Sequence, residues 1–230
     1  MIRFVATLIL TILCLSANAQ FGVRISQNFN KASNWDDFLS NEAGQNATVF
    51  TSSQSITLDY WLRLPNHRVE FYPNISYHRA TDDFSSLFIN TTFETSKLEQ
   101  IGGGLLVHIY AFDFTGDCDC PTFSKQGGLV KKGFFFMGGV GADFSRKSFG
   151  DGNLGDGNVD VKASLGIGLD IGITDLITIT PFVQVQRYFD VSGHNFSEIF
   201  GRTGNISSSI NQFQVGLRFG LRPDYTKSRF

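Results

Sequence analysis

From Phe21 onward the chain alternates. Phe21, Val23, Ile25 and Phe29 are apolar, and Gly22, Arg24, Ser26 and Asn28 stand between them. Successive side chains of a strand point to opposite faces, so a period of two gives one apolar and one polar face. The pattern returns in SITLDYWLRL, RVEFYPNISYH, IGGGLLVHIYAF and GFFFMGGVGADF. It is cleanest in VDVKASLGIGLDIGI, where Val159, Val161, Ala163, Leu165, Ile167, Leu169, Ile171 and Ile173 form one face. ITITPFVQVQRYF and INQFQVGLRFGLR bring the number of such segments to eight. Each is about as long as a tilted strand that crosses a bilayer.

The connections have a rhythm of their own. Residues 30–55, 79–100, 146–158 and 190–209 form the odd-numbered loops, polar and mostly long, while 65–67 and 174–176 are tight. Long loops on one side and short turns on the other are the habit of an up-and-down barrel. Only the fourth connection, 113–132, departs from it. An even strand count puts both termini on one side. The expected fold is all-β, an eight-stranded antiparallel up-and-down transmembrane β-barrel over residues 20–222. Residues 113–132 would be a long periplasmic turn and 223–230 a periplasmic C-terminal tail.

Alternation by itself does not say which face points outward. A lipocalin-like barrel or a β-sandwich has the same period with its apolar side inward. Three features favour an apolar exterior. Backbone groups in lipid are all satisfied in a strand structure only if the sheet closes. Phe71, Phe112, Phe134, Phe136, Phe144, Phe189 and Phe219 crowd the segment ends, as aromatic girdles would. The last segment carries Gln214, Gly216, Phe219 and Leu221, spaced like the C-terminal β-signal read by the outer-membrane assembly machinery, although RPDYTKSRF follows it.

On the opening FGVRISQNF, the DCDCPTFSKQG turn with its KKGFFF strand and the closing FQVGLRFGL, the chain resembles small outer-membrane β-barrel proteins of Bacteroidota-type bacteria. These are similar to the eight-stranded OmpA/OmpX-like superfamily. The resemblance implies the architecture and a place in the bacterial outer membrane. It implies no particular activity, because this fold hosts many roles.

The N-terminus agrees with export. MIRFVATLILTILCLSANAQ has Arg3, an apolar stretch from Phe4 to Leu15, and Ala17-Asn18-Ala19. This reads as a secretory signal over residues 1–19, cleaved between Ala19 and Gln20. Cleavage removes Cys14 and leaves Cys118 and Cys120. No later apolar run is long enough for a membrane helix. Composition fits strands, with 24 Phe and 24 Gly against 2 Met, and the net charge of −2 gives no reason to expect nucleic-acid binding.

With the apolar face outward, the polar face lines the lumen. Its charges would be Arg24, Arg63, Lys162, Arg218 and Arg222 against Asp59, Glu70, Asp143, Asp160 and Asp170. Eight strands leave room inside only for side chains, and charges in such a space need partners. The expectation is a plugged, charge-paired barrel with His78 and His108 as lumen hydrogen-bonders. Cys118 and Cys120 supply two thiolates without a histidine beside them, too few for a zinc site. They read as a disulfide clip in the periplasmic turn, with free thiols or a metal site as alternatives. His194, Ser197 and Glu198 lie close in sequence but in no order that specifies a catalytic triad.

The chain is therefore read as non-enzymatic and without a cofactor. It would be a structural or interaction barrel working through its extracellular loops, with Trp35 and Phe38 in the first loop either as exposed-anchor candidates or as aromatics that pack the loop onto the barrel rim. The expected partners are outer-membrane lipid, the assembly machinery, and an extracellular or periplasmic protein. The competing readings are a transport barrel for a small solute or lipid, and an exported soluble barrel that binds an apolar ligand.

Overall fold

The computed structural model describes residues 20–43, 46–64, 67–82, 96–114, 129–148, 157–174, 176–192 and 206–221. Eight staves follow in chain order. β1 is Phe21–Lys31, and β2 is Ser52–Tyr60, continued past Trp61 by Leu62–Arg63. β3 is Val69–Asp82, β4 is Ser96–Ile109 and β5 is Phe134–Ser148. β6 is Asn158–Leu169, continued by Ile171–Gly172, and β7 is Ile177–Ser192. β8 is Ser207–Leu221. Each stave pairs antiparallel with its neighbours in sequence, and β8 pairs with β1 from Phe21↔Leu221 to Lys31↔Asn211. The sheet is closed and has no edge, which leaves no row of unpaired backbone groups.

The register fixes the bore. A path from Lys31 through Asn211, Arg187, Ala163, Val140, Leu105 and Pro73 meets β2 level with Tyr60, whose partner on β1 is Phe21, ten residues short of the start. Eight strands with that stagger tilt by about 40° and enclose a backbone cylinder of about 8 Å radius. Side chains fill a cylinder of that size.

The alternation places its apolar set outside. Ile25, Leu58, Ile75, Ile101, Val140, Leu165 and Val185 are all exposed. Two aromatic groups bound this aliphatic belt. Phe21 packs edge-on against Tyr60 at 5.5 Å, and Phe112, Phe134 and Phe136 cluster at the same end. Phe29 lies 6.5 Å from Phe213 at the other end, where Phe144 and Phe189 are also exposed. The eight residues from Phe21 to Phe29 rise about 20 Å along a strand tilted by about 40°, close to the height of a membrane barrel's apolar band. A barrel built to hold an apolar ligand would reverse this arrangement.

Two differences from the sequence reading concern the loop end, where β1 finishes. The strands run further than the periodicity suggested: β3 reaches Asp82 and β5 reaches Ser148. Polar residues on both faces hid this, since a strand that stands clear of lipid need not alternate. The first connection also folds. Ser33–Ala43 is a helix, α1, rather than a polar loop. Trp35 and Leu39, four apart, fall on one helical face and are buried. A short helix, α2, spans Leu129–Gly133 at the opposite end. A single 3-10 turn, Ala111–Asp113, lies beside it.

Candidate functional site

The lumen is organised in two polar tiers, with a cap of packed helix over the loop end. Five acids and five bases are buried here: Asp59, Glu70, Asp143, Asp160 and Asp170, with Arg24, Arg68, Lys147, Lys162 and Arg218.

The lower tier lies toward the turn end. Asp59 on β2 accepts Arg218 Nε at 3.0 and 2.9 Å and Nη2 at 2.6 Å. This is the bidentate geometry that makes arginine–carboxylate pairs strong. Arg24 Nη2 stands 3.9 Å from the same carboxylate. Both guanidinium groups also lie over rings, Arg218 over Tyr72 at 4.7 Å and Arg24 over Phe182 at 5.0 Å. Hydroxyls bond the other two acids. Tyr72 OH donates to Glu70 at 2.6 Å, and Tyr110 OH lies 2.9 Å from Glu70 and 2.5 Å from Asp170. Thr180 also bonds Asp170. Arg68 closes this mouth, donating to Lys132 O at 2.7 Å with its guanidinium over the Tyr110 ring at 4.3 Å.

In the upper tier, Asp143 accepts Lys162 Nζ at 2.7 Å and Tyr188 OH at 2.7 Å. Gly102 faces Asp143 across the β4–β5 pair, and a Cβ there would sit 2.0 Å from the carboxylate oxygen. The glycine makes room for the charge. Asp160 is bonded by Ser145, and Lys147 donates to Ser192 O. Between the tiers is a cavity of about 30 Å³.

Above it, α1 seals the loop end. Trp35 packs with Leu39, Val49, Phe50, Leu98, Val191 and Ile210. Its indole N–H donates to Ile206 O at 3.2 Å, and Lys147 Nζ lies 5.3 Å from its ring centre. Asp36 accepts the Val49 N–H at 3.0 Å, fastening the helix to the returning chain. Burial pushes the Asp36 carboxyl above the usual carboxylate range, against the pull of backbone N–H donors from Val49 and Ala32.

Several sequence expectations change here. Trp35 is fully buried and Phe38 packs against the same cluster, so neither is an exposed anchor. The outward face of α1 instead shows Ser33, Asn34, Asp37 and Asn41. Arg63, expected in the lumen, is exposed. It has the inward parity, but it sits where β2 ends and the wall no longer covers it. The histidines do lie in the lumen, yet neither ring nitrogen of His78 or His108 has a hydrogen-bond partner. His108 serves as a ring instead, stacked on Phe135 at 4.1 Å with Tyr72 4.1 Å away on β3. Charge pairing is also only half the account, because hydroxyls and aromatic rings do much of the filling. The polar face read from the sequence left out Arg68 and Lys147: Arg68 opens the third segment with the same parity as Glu70, and Lys147 stands beyond the end of the fifth.

On β8, Gln214 points inward while Phe219 and Leu221 are exposed. A Cβ at Gly216 would meet Ile25 O at 2.4 Å and the Phe182 ring at 2.6 Å, so packing alone demands glycine. Ala19, Cys118, Cys120, Arg222, the tail and the His194–Ser197–Glu198 group lie outside the described residues. Among the described residues, no three His, Cys, Asp or Glu side chains group as metal ligands. No helix among them is long and apolar enough to cross a membrane, which leaves strands unaddressed.

No protein-family model matches the chain, and no curated protein matches it. Solved structures do. Neisserial surface protein A is 12% identical with a TM-score of 0.45, over 88% of this chain and 96% of that one. The attachment invasion locus protein Ail of Yersinia pestis, in complex with sucrose octasulfate, is 10% identical with a TM-score of 0.45, over 89% and 99%. The outer membrane enzyme PagL is 13% identical with a TM-score of 0.39, over 87% and 99%. At these identities the likeness adds nothing to the closed barrel already evident in the register.

Proposed function

We propose that this chain is an outer-membrane β-barrel with a plugged lumen, which anchors a polar surface outside the membrane as a structural or interaction protein. The observation that carries the reading is the inverted distribution of polarity. A closed sheet with an aliphatic belt, two aromatic girdles and ten buried charges inside suits a lipid surround and no aqueous one. In this reading the turn end faces the periplasm. The loop end, with Ser33, Asn34, Asp37 and Asn41 on its surface, faces outward. Gln214, Gly216, Phe219 and Leu221 lie on the closing strand, where assembly machinery would engage it.

The plug supports a non-conducting and non-enzymatic role. Two tiers and a helical cap block the bore, and the cavity between the tiers is about 30 Å³. Neither buried histidine is hydrogen-bonded to a group that would orient it as a base, and His78 Nε2 stands 3.9 Å from Asp143, beyond hydrogen-bond reach. Planar-bilayer recording of the reconstituted protein tests this. The expected trace shows no steps of open-channel size. A large, steady single-channel conductance would overturn the plugged reading, and liposome swelling with small sugars would then identify a transport barrel.

A further inference from the structure

We propose that the cavity between the two tiers is an anion site, sized for one small halide such as chloride. The inference goes beyond the anchoring role and rests on the lumen alone.

The wall of the cavity carries two cations, Arg24 from below and Lys162 from above, and no carboxylate. The rest of its polar wall is neutral, with hydroxyls such as Ser26, Ser55 and Ser76 and amides such as Gln214. Arg24 decides the sign. Asp59 is already engaged by Arg218 through three short contacts. Arg24 reaches that carboxylate only at 3.9 Å, too long for a hydrogen bond, and its Nε has no partner although the residue is 6% exposed. A buried guanidinium N–H without an acceptor is costly. An anion in the cavity would accept it.

His78 adds a second observation. Its side chain is 5% exposed and lines the cavity, with neither ring nitrogen hydrogen-bonded and Nε2 3.9 Å from the Asp143 carboxylate. A neutral imidazole always has one N–H to give, so it adds a donor to the same space. Lys162 reaches Ser76 Oγ at 3.3 Å as well as Asp143, which brings its ammonium to the cavity edge.

Size sets the chemical class. A space of about 30 Å³ holds one or two water-sized bodies. It suits a halide better than a large organic acid. Both ends of the bore are closed, so the ion enters as the barrel folds and exchanges only through opening of the wall or cap.

The test refolds the full-length mature chain into detergent micelles in sodium bromide, sodium chloride or sodium gluconate at equal ionic strength. The halide samples are expected to unfold at higher denaturant. At a hundred times the dissociation constant, one site raises the folded-to-unfolded ratio about a hundredfold. Arg24→Gln should abolish the halide-specific difference, and Arg24→Lys should retain it. Crystals grown from the bromide sample should show an anomalous peak beside Arg24. Equal stability in all three salts with no peak would mean that the cavity holds water, and would overturn the proposal. A halide effect that survives Arg24→Gln would overturn it as well. If Arg24→Gln does not fold, the bromide peak in the unaltered chain decides.

Discussion

Replacing Leu165 by arginine should be far more costly than its exposure suggests. Leu165 is 72% exposed, its register partners are Gly138 and Val185, and it lies near the middle of the aliphatic belt. In water such a site tolerates substitution within about 0.5 kcal/mol. At a bilayer midplane the same change costs about 2–4 kcal/mol, roughly 30- to 900-fold in the folding equilibrium. Val159 supplies the control. It is 69% exposed on the same strand, six residues nearer the loop end. Those residues correspond to about 15 Å along the barrel axis, which brings Val159 to the interface, where arginine costs about 0–1 kcal/mol. The assay is reversible denaturant unfolding of each variant refolded into phospholipid vesicles. Two residues of nearly equal exposure should then differ by about 2 kcal/mol or more. Equal costs for Leu165→Arg and Val159→Arg would refute the lipid-facing assignment, since only depth in a membrane distinguishes the two positions.

Asp59→Ala leaves Arg218 and Arg24 buried without their carboxylate and should cost about 3–5 kcal/mol in the same unfolding assay, whereas Asp59→Leu with Arg218→Met should recover most of it. Gly216→Val should destabilise by about 1–3 kcal/mol. Phe182→Ala should not rescue it, because the Ile25 carbonyl still blocks the new Cβ. Trp35→Ala should cost about 3–5 kcal/mol and expose residues 32–50 to added protease, while the boiled-to-unboiled gel shift of the barrel persists. The raised Asp36 carboxyl binds its proton more tightly in the folded cap, so cap stability is greatest below the usual carboxylate pKa and falls as pH rises toward the raised value. Asp36→Asn should remove that dependence in a protease-protection titration.

The strand core was legible because period two is a strong signal wherever one face meets apolar surroundings. All eight segments became staves, and the inward placement of Asp59, Arg218, Asp143 and Lys162 followed from parity. Partner choice did not. Asp59 and Arg218 are 159 residues apart, and only closure of β8 on β1 brings them together. The strand extensions past His78 and before Ile210 were hidden because polar residues predominate there. The cap was missed for a different reason. Trp35, Phe38 and Leu39 in SNWDDFLSNEA have helical spacing within a polar stretch, but with so few apolar residues Trp35 and Phe38 read as loop aromatics rather than as part of one helical face. The lumen rings Tyr72, Tyr110 and Phe135 were visible as sequence, but nothing in one dimension says that they stack beneath a histidine.

The measurement that tests the central claim most directly is electrophoretic heat-modifiability of the outer-membrane fraction. The account predicts that the protein is recovered there and that its unboiled band migrates differently from the boiled one, as a closed barrel that resists detergent should. Recovery in the soluble fraction with a single band under both conditions would contradict it, because an aliphatic belt of this extent has no place in water.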